Sequence, residues 1–226
     1  MPVFKKSRNT PDELFDEGWQ FYSKATTLEP PGTVFRIDAA HRRYLVGKVE
    51  VPTEKGDETA ASLEKRVSTT LGMFVRFLGL DKLGIGGKLD RVQQFAFELK
   101  DAEREITTDV ALDDALLAFL EKLDYRADNR YFVIREALSA TSMLYALTKD
   151  QLVELGGEGA LATALGAGAS IAHASSERIT FPKTFPQRMR VTFLPEEITT
   201  TRSNLSGEKP TLGRKRVTKP LTWTDD

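Results

Sequence analysis

The sequence predicts an α+β fold, a twisted and mostly antiparallel β-sheet flanked by several α-helices. Three observations carry that expectation. Apolar and polar residues alternate at period two in several segments, most cleanly from Val67 to Leu78. Tyr131 to Leu138 is a nearly continuous apolar run, as a central strand covered on both faces requires. Helical periodicity follows capping patterns at Thr10, near Asp109 and at Thr148.

Taken in order, Thr10-Pro11-Asp12-Glu13 predicts a helix start. Thr10 caps, Pro11 takes the first helical position and Glu13 completes a capping box. The helix is expected to run to about Ala25, with Leu14, Phe15, Trp19 and Tyr22 on one face docked on the body. A partner-binding or membrane-surface helix is the alternative, with Lys5, Lys6 and Arg8 upstream and Trp19 as the contact residues. Thr33–Ile37 and Arg43–Val51 form a hairpin around Asp38-Ala39-Ala40-His41. Pro52 to Asp57 reads as a polar loop, and Thr59 to Arg66 as one or two helical turns.

Val67, Leu71, Met73, Val75 and Phe77 share one face of a strand. After the glycine-rich turn at 79–87, which lacks the Lys-Ser/Thr of a phosphate loop, Leu89 to Lys100 returns with Phe95, Phe97 and Leu99 on one face. Asp101 to Glu105 reads as a charged break. Thr108 or Asp109 then caps a helix to about Leu123, with a stripe of Leu112, Leu116, Phe119, Leu120 and Leu123. Asp113 and Asp114 are read as solvated, since adjacent helical residues diverge by about 100°. Within the central run, Arg135 and Glu136 each need a partner or a sheet edge.

Met143 to Leu147 continues as a short strand, and Thr148-Lys149-Asp150-Gln151 opens a short helix to Leu155. Ala160 to His173 alternates with one face of small residues, although an early helix over Gly159 to Leu165 is also open. Glu177–Phe181 and Arg188–Leu194 are the last strands, around Pro182 to Pro186. From Thr199 the chain is rich in Thr, Ser, Pro and Gly. The expected organisation is therefore a single α+β domain over 1–198 and a polar, basic C-terminal tail over 199–226, read as a mobile tail or an extended arm with Trp223 as its anchor on the body.

Composition narrows the function classes. With 40% hydrophobic and 29% charged residues the chain suits a soluble globular protein, and a formal net charge of -1 gives no global pull toward nucleic acid. It has no cysteine, which removes disulfides, thiolate metal sites and thiol nucleophiles. The N-terminal residues lack a secretory apolar core and no run of about 20 apolar residues occurs, so a cytoplasmic protein is expected. His41 and His173 are the only histidines, outside any metal-ligand spacing, and no G-x-S-x-G elbow is present. No catalytic residue, cofactor or metal is expected, and the chain is read as non-enzymatic.

One pattern resembles a known family. Asn129-Arg130-Tyr131-Phe132-Val133-Ile134-Arg135-Glu136 looks like the gasdermin segment in which a polar turn precedes an aromatic-Val-Val-x-Glu strand. Leu165-Gly166-x-Gly168-x-Ser170-Ile171-x-His173, then Ile179-Thr180-Phe181-Pro182-Lys183, resembles that family's glycine-rich return strand and its I-T-x-P-K-G step. Arg190-Val191-x-Phe193-Leu194 is similar to its closing strand. The chain departs at Thr184, where the family has glycine, and it lacks the lipidated N-terminal cysteine of bacterial members.

The resemblance implies a pore-forming protein of bacterial defence, soluble and cytoplasmic until an inhibitory C-terminal segment is removed by a protease or partner. It further implies homo-oligomers on anionic membrane lipids. By the same resemblance, one membrane-spanning hairpin would come from Val67–Leu78 and Leu89–Lys100, carried by Val67, Leu71, Met73, Val75, Phe77, Phe95, Phe97 and Leu99. A second would come from about Ser139–Leu147 and Ala160–Arg178. A spanning strand needs about 9–11 residues with one apolar face, and barrel closure satisfies its edges. The alternative is a soluble protein- or ligand-binding module without membrane activity.

Overall fold

The structure is a computed structural model that describes residues 18–58, 62–65, 95–123, 126, 128–148, 153, 173–174, 178–201, 211–218, 221 and 223–225. Its elements in chain order are β1 (Gln20–Thr26), β2 (Thr33–Ile37), β3 (Arg42–Lys48), β4 (Thr53–Glu58), β5 (Ser62–Lys65), β6 (Phe95–Lys100) and β7 (Ala102–Thr107). Then come α1 (Asp109–Leu120), β8 (Arg130–Thr148), β9 (His173–Ala174), β10 (Arg178–Thr201), β11 (Thr211–Arg216) and β12 (Thr224–Asp225). The expected mostly antiparallel sheet is present, but one α-helix rather than several stands among these described elements.

Two long strands explain the topology. β8 and β10 pair antiparallel from Arg178↔Thr148 to Ile198↔Tyr131. The other edge of β8 is shared in series by β2, β7 and β6. The other edge of β10 is shared by β11, β1 and β9. The sheet path is β1-β10-β8-β2-β3-β12, with β4 outside β7 and β5 outside β6. All pairings are antiparallel except β12 on β3.

Alternation along these strands sends apolar residues to both faces. On one face Val34, Tyr131, Val133 and Ile198, with Val49, pack under Leu112, Leu116 and Leu120 of α1. On the other, Phe35 stacks on Phe132 at 5.2 Å, and Phe193 meets Phe35 at 5.9 Å and Tyr22 at 4.6 Å. Cover on both faces is the reason β8 is so apolar over Tyr131–Leu138. The two charges in that run find partners as required. Glu136, 4% exposed, is bound by Arg104, and Arg135 reaches Glu196 at 3.1 Å.

The 33–51 hairpin forms as expected. Its turn is tied by Asp38, whose carboxylate accepts the Ala40 and Arg42 amides at 2.9 Å. His41 takes the left-handed conformation there, with φ 59°. The α1 helix also forms as expected, with Leu112, Leu116 and Leu120 buried.

Several expectations are corrected. Residues 20–25 of the expected 10–25 helix belong to β1, because Gln20 and Phe21 pair with Phe193 and Thr192. The expected loop at 52–57 is β4 and the expected helical turns at 59–66 contain β5, each captured by a neighbouring strand, β7 and β6. The charged break narrows to Asp101, since Ala102–Thr107 pairs with both β4 and β8. The segments Met143–Leu147 and Tyr131–Leu138 are one strand, as are the two expected around Pro182 to Pro186. Finally, β11 and β12 join the sheet, which overturns a mobile tail and agrees with the alternative of an extended arm.

Of the helix expected at Thr148, the structure describes Val153, in helical conformation and exposed, while Thr148 itself closes β8. The start of the N-terminal helix and the strand Ala160–Ala172 lie outside the described residues.

Candidate functional site

The described part of the C-terminal segment lies against the sheet along a track of side chains from six elements. Its first half, β11, adds to the edge of β10 with register Glu196↔Arg216 to Thr201↔Thr211. Arg214 is the centre of this half. Its guanidinium donates to Asp113 at 2.7 Å and to Asp109 at 3.0 Å on the first turns of α1, and it also binds Glu196 of β10. Arg135 of β8 completes the cluster through Glu196 and through Asp109 at 3.2 Å. Burial works against the Arg214 charge, but the bonds to Asp113 and Asp109 and the charge of Glu196 outweigh it, so its pKa is raised. Asp113, expected to be solvated, thus has a structural partner.

The middle of the segment makes a close backbone crossing. Gly18 sits at φ 89°, and a Cβ built there would lie 1.5 Å from the Val217 carbonyl oxygen. Only glycine fits, for both reasons. Beside it the fully buried Gln20 amide donates to the Gly18 carbonyl at 2.7 Å, and its oxygen accepts the Leu221 amide at 2.9 Å.

The last part is aromatic. Trp223 is buried, 6.0 Å from Phe193 and 6.5 Å from Phe35 between ring centroids. The Arg43 guanidinium lies over the Phe35 ring at 4.3 Å and 5.7 Å from the Trp223 ring, and it pairs with Glu29. The Glu29 carbonyl in turn accepts the Tyr22 hydroxyl at 2.7 Å. Burial, reinforced by the Glu29 charge, pushes that phenol well above its ordinary pKa, so it acts as a neutral donor. β12 then continues alongside β3. The arrangement is a two-ended latch, ionic at Arg214 and aromatic at Trp223, suited to holding a segment rather than to bond chemistry.

The expected membrane-inserting residues are only partly in view. Leu99 is fully buried in β6, opposite Met143 of β8. The backbones of Phe95 and Phe97 pair with Lys65 and Leu63. Val67, Leu71, Met73, Val75 and Phe77 lie outside the described residues, as do Lys5, Lys6 and Arg8. Trp19, expected to dock on the body with lipid or partner contact as the alternative, is 2% exposed, so such a contact requires the region around it to open.

Sequence reasoning found the Trp223 anchor and missed Gly18, Gln20, Arg43 and Arg214. Gly18 did leave a signal, since a glycine inside an amphipathic helix pattern argues against that helix. Arg214 was hidden in a basic cluster whose neighbours Lys215 and Arg216 are exposed.

No protein-family model and no curated protein sequence matches the chain. Among solved structures, a bacterial gasdermin from Bradyrhizobium tropiciagri matches with a TM-score of 0.56 at 15% identity, over 94% of this chain and 95% of that one. The chain therefore shares its fold with a bacterial gasdermin along nearly its whole length.

Proposed function

We propose that the chain is a non-enzymatic, gasdermin-like pore-forming protein, held soluble while its C-terminal segment is latched to the sheet. The observation that carries this reading is the fold likeness to a bacterial gasdermin over 94% of the chain. The latch supports it, because its contacts are discrete and a cut between Thr201 and Thr211 would leave the segment held by non-covalent contacts alone. Among the described residues no helix is long and apolar enough to cross a membrane, so insertion would use strands. The first hairpin would carry Val67, Leu71, Met73, Val75, Phe77, Phe95, Phe97 and Leu99. Its partners would be anionic lipids, an activating protease or protein, and further copies of the chain, within a cytoplasmic, bacterial-defence setting.

The test is limited proteolysis between Thr201 and Thr211, the ends of β10 and β11, in the presence of dye-loaded anionic liposomes. Dye release with formation of a lipid-bound oligomer is expected from the cut protein and not from the intact one. Intact liposomes with no oligomer after complete cutting would leave a soluble interaction module as the reading.

A further inference from the structure

Two separate interruptions of the sheet meet at one residue of β8. On one side, Asp101 divides β6 from β7 in a left-handed backbone conformation, φ 50°. Lys100 pairs with Ser142 and Glu103 with Ser139, which puts Asp101 across from Thr141. On the other side, Thr184 of β10 pairs with Ser142 and Met189 with Ala140, so Phe185, Pro186, Gln187 and Arg188 stand opposite Thr141 alone. Pro186 has no N–H to give to a ladder there.

Side chains tie the three strands together at this level. The Thr141 hydroxyl donates to the Asp101 carboxylate at 2.9 Å, and Arg188 reaches across β8 to donate to the Asp101 carbonyl. On one side of this line lie β7, residues 130–140 of β8, residues 189–201 of β10 and the apolar cluster under α1. On the other lies a blade made of β5, β6, residues 142–148, residues 178–184 and β9.

The register adds a decisive detail. The pairings of β6 and β7 on β8 follow one continuous register through Asp101. Returning Asp101 to extended backbone would therefore join β6 and β7 into one strand without any slip, and a slip would have turned every side chain to the wrong face.

We propose that Asp101, Thr141 and Arg188 form a clamp at a hinge, which fixes the blade against the body and, when opened, lets the blade move as a separate unit. This stands on the sheet geometry. Its consequence rests on the proposed function, in which the blade strands would straighten to feed a membrane hairpin.

Amide hydrogen exchange on the full chain tests it, comparing wild type with the T141V/R188Q double variant. Exchange over 95–100, 142–148 and 178–184 should rise roughly three- to tenfold, the equivalent of one to two net hydrogen bonds, while 131–138 and 191–198 stay unchanged. Asp101→Asn, which tolerates left-handed backbone and still offers an acceptor oxygen to Thr141, should behave as wild type. Equal changes in both blocks, or none in the blade, would overturn the clamp. Exchange decides this without reference to membranes, so a protein that never releases dye would end the pore-forming reading and leave the clamp standing.

Discussion

Gly18 contributes to the C-terminal latch through an absence of atoms. A methyl there would occupy the position of the Val217 carbonyl, and the backbone must also hold φ 89°. Gly18→Ala is expected to displace residues 217–225 and to cost roughly 1–3 kcal/mol, the range for a residue held in a disfavoured conformation. The measurement is thermal unfolding, together with the rate at which a protease trims the C-terminal segment. A variant as stable and as resistant as wild type would show that the crossing is not needed. Nothing local in the sequence shows the need for this glycine. Its role depends on a residue almost 200 positions away.

Among the elements, α1 separates local signals from tertiary ones. Its apolar stripe was legible by period alone, and Leu112, Leu116 and Leu120 are the residues that pack on the sheet. Its cap was legible too, but Thr108 makes no side-chain capping bond, and the first turn is tied instead through Asp109 to Arg135 and Arg214. Leu116→Ala should therefore cost about 2–5 kcal/mol. Thr108→Ala should cost well under the ~1 kcal/mol typical of a lost cap. Urea unfolding of the two variants checks this, and equal losses would contradict it. The short strands β4 and β5 show the opposite case. Thr-Glu-Lys-Gly-Asp-Glu in β4 has no strand pattern, and its conformation is imposed by the ladder of β7.

Across the molecule, stability should fall in acid through the carboxylates that join strands. The side-chain bonds from Arg130, at 2.7 Å and 3.0 Å, hold the Glu197 carboxyl below its ordinary range. Backbone bonds to Arg42, then its side chain, do the same for Asp38. A carboxyl with a lowered folded-state pKa contributes stability that is complete above the ordinary value and lost as pH falls through the folded one. Stability should thus decline from about pH 5 downward. Glu197→Gln should flatten part of that decline, by at most about 1 kcal/mol after allowing for solvent screening of a partly exposed pair. Denaturant midpoints for wild type and variant between about pH 7 and pH 3 would test it. Parallel curves would exclude a role for this pair.

What the sequence determined by itself was everything that depends on neighbours within a few residues. That covers the α+β class, the 33–51 hairpin, the α1 stripe, the buried run of β8 and the gasdermin-like pattern from Asn129 to Leu194. Only the tertiary structure decided that residues 20–26 are strand, that β8 and β10 run unbroken, and that residues 211–216 join the sheet. The physical reason is the same in each case. Hydrogen-bonded edges of two long strands were open to any segment that could reach them, and the energy of pairing there exceeds the weak local preference of a short polar or aromatic stretch.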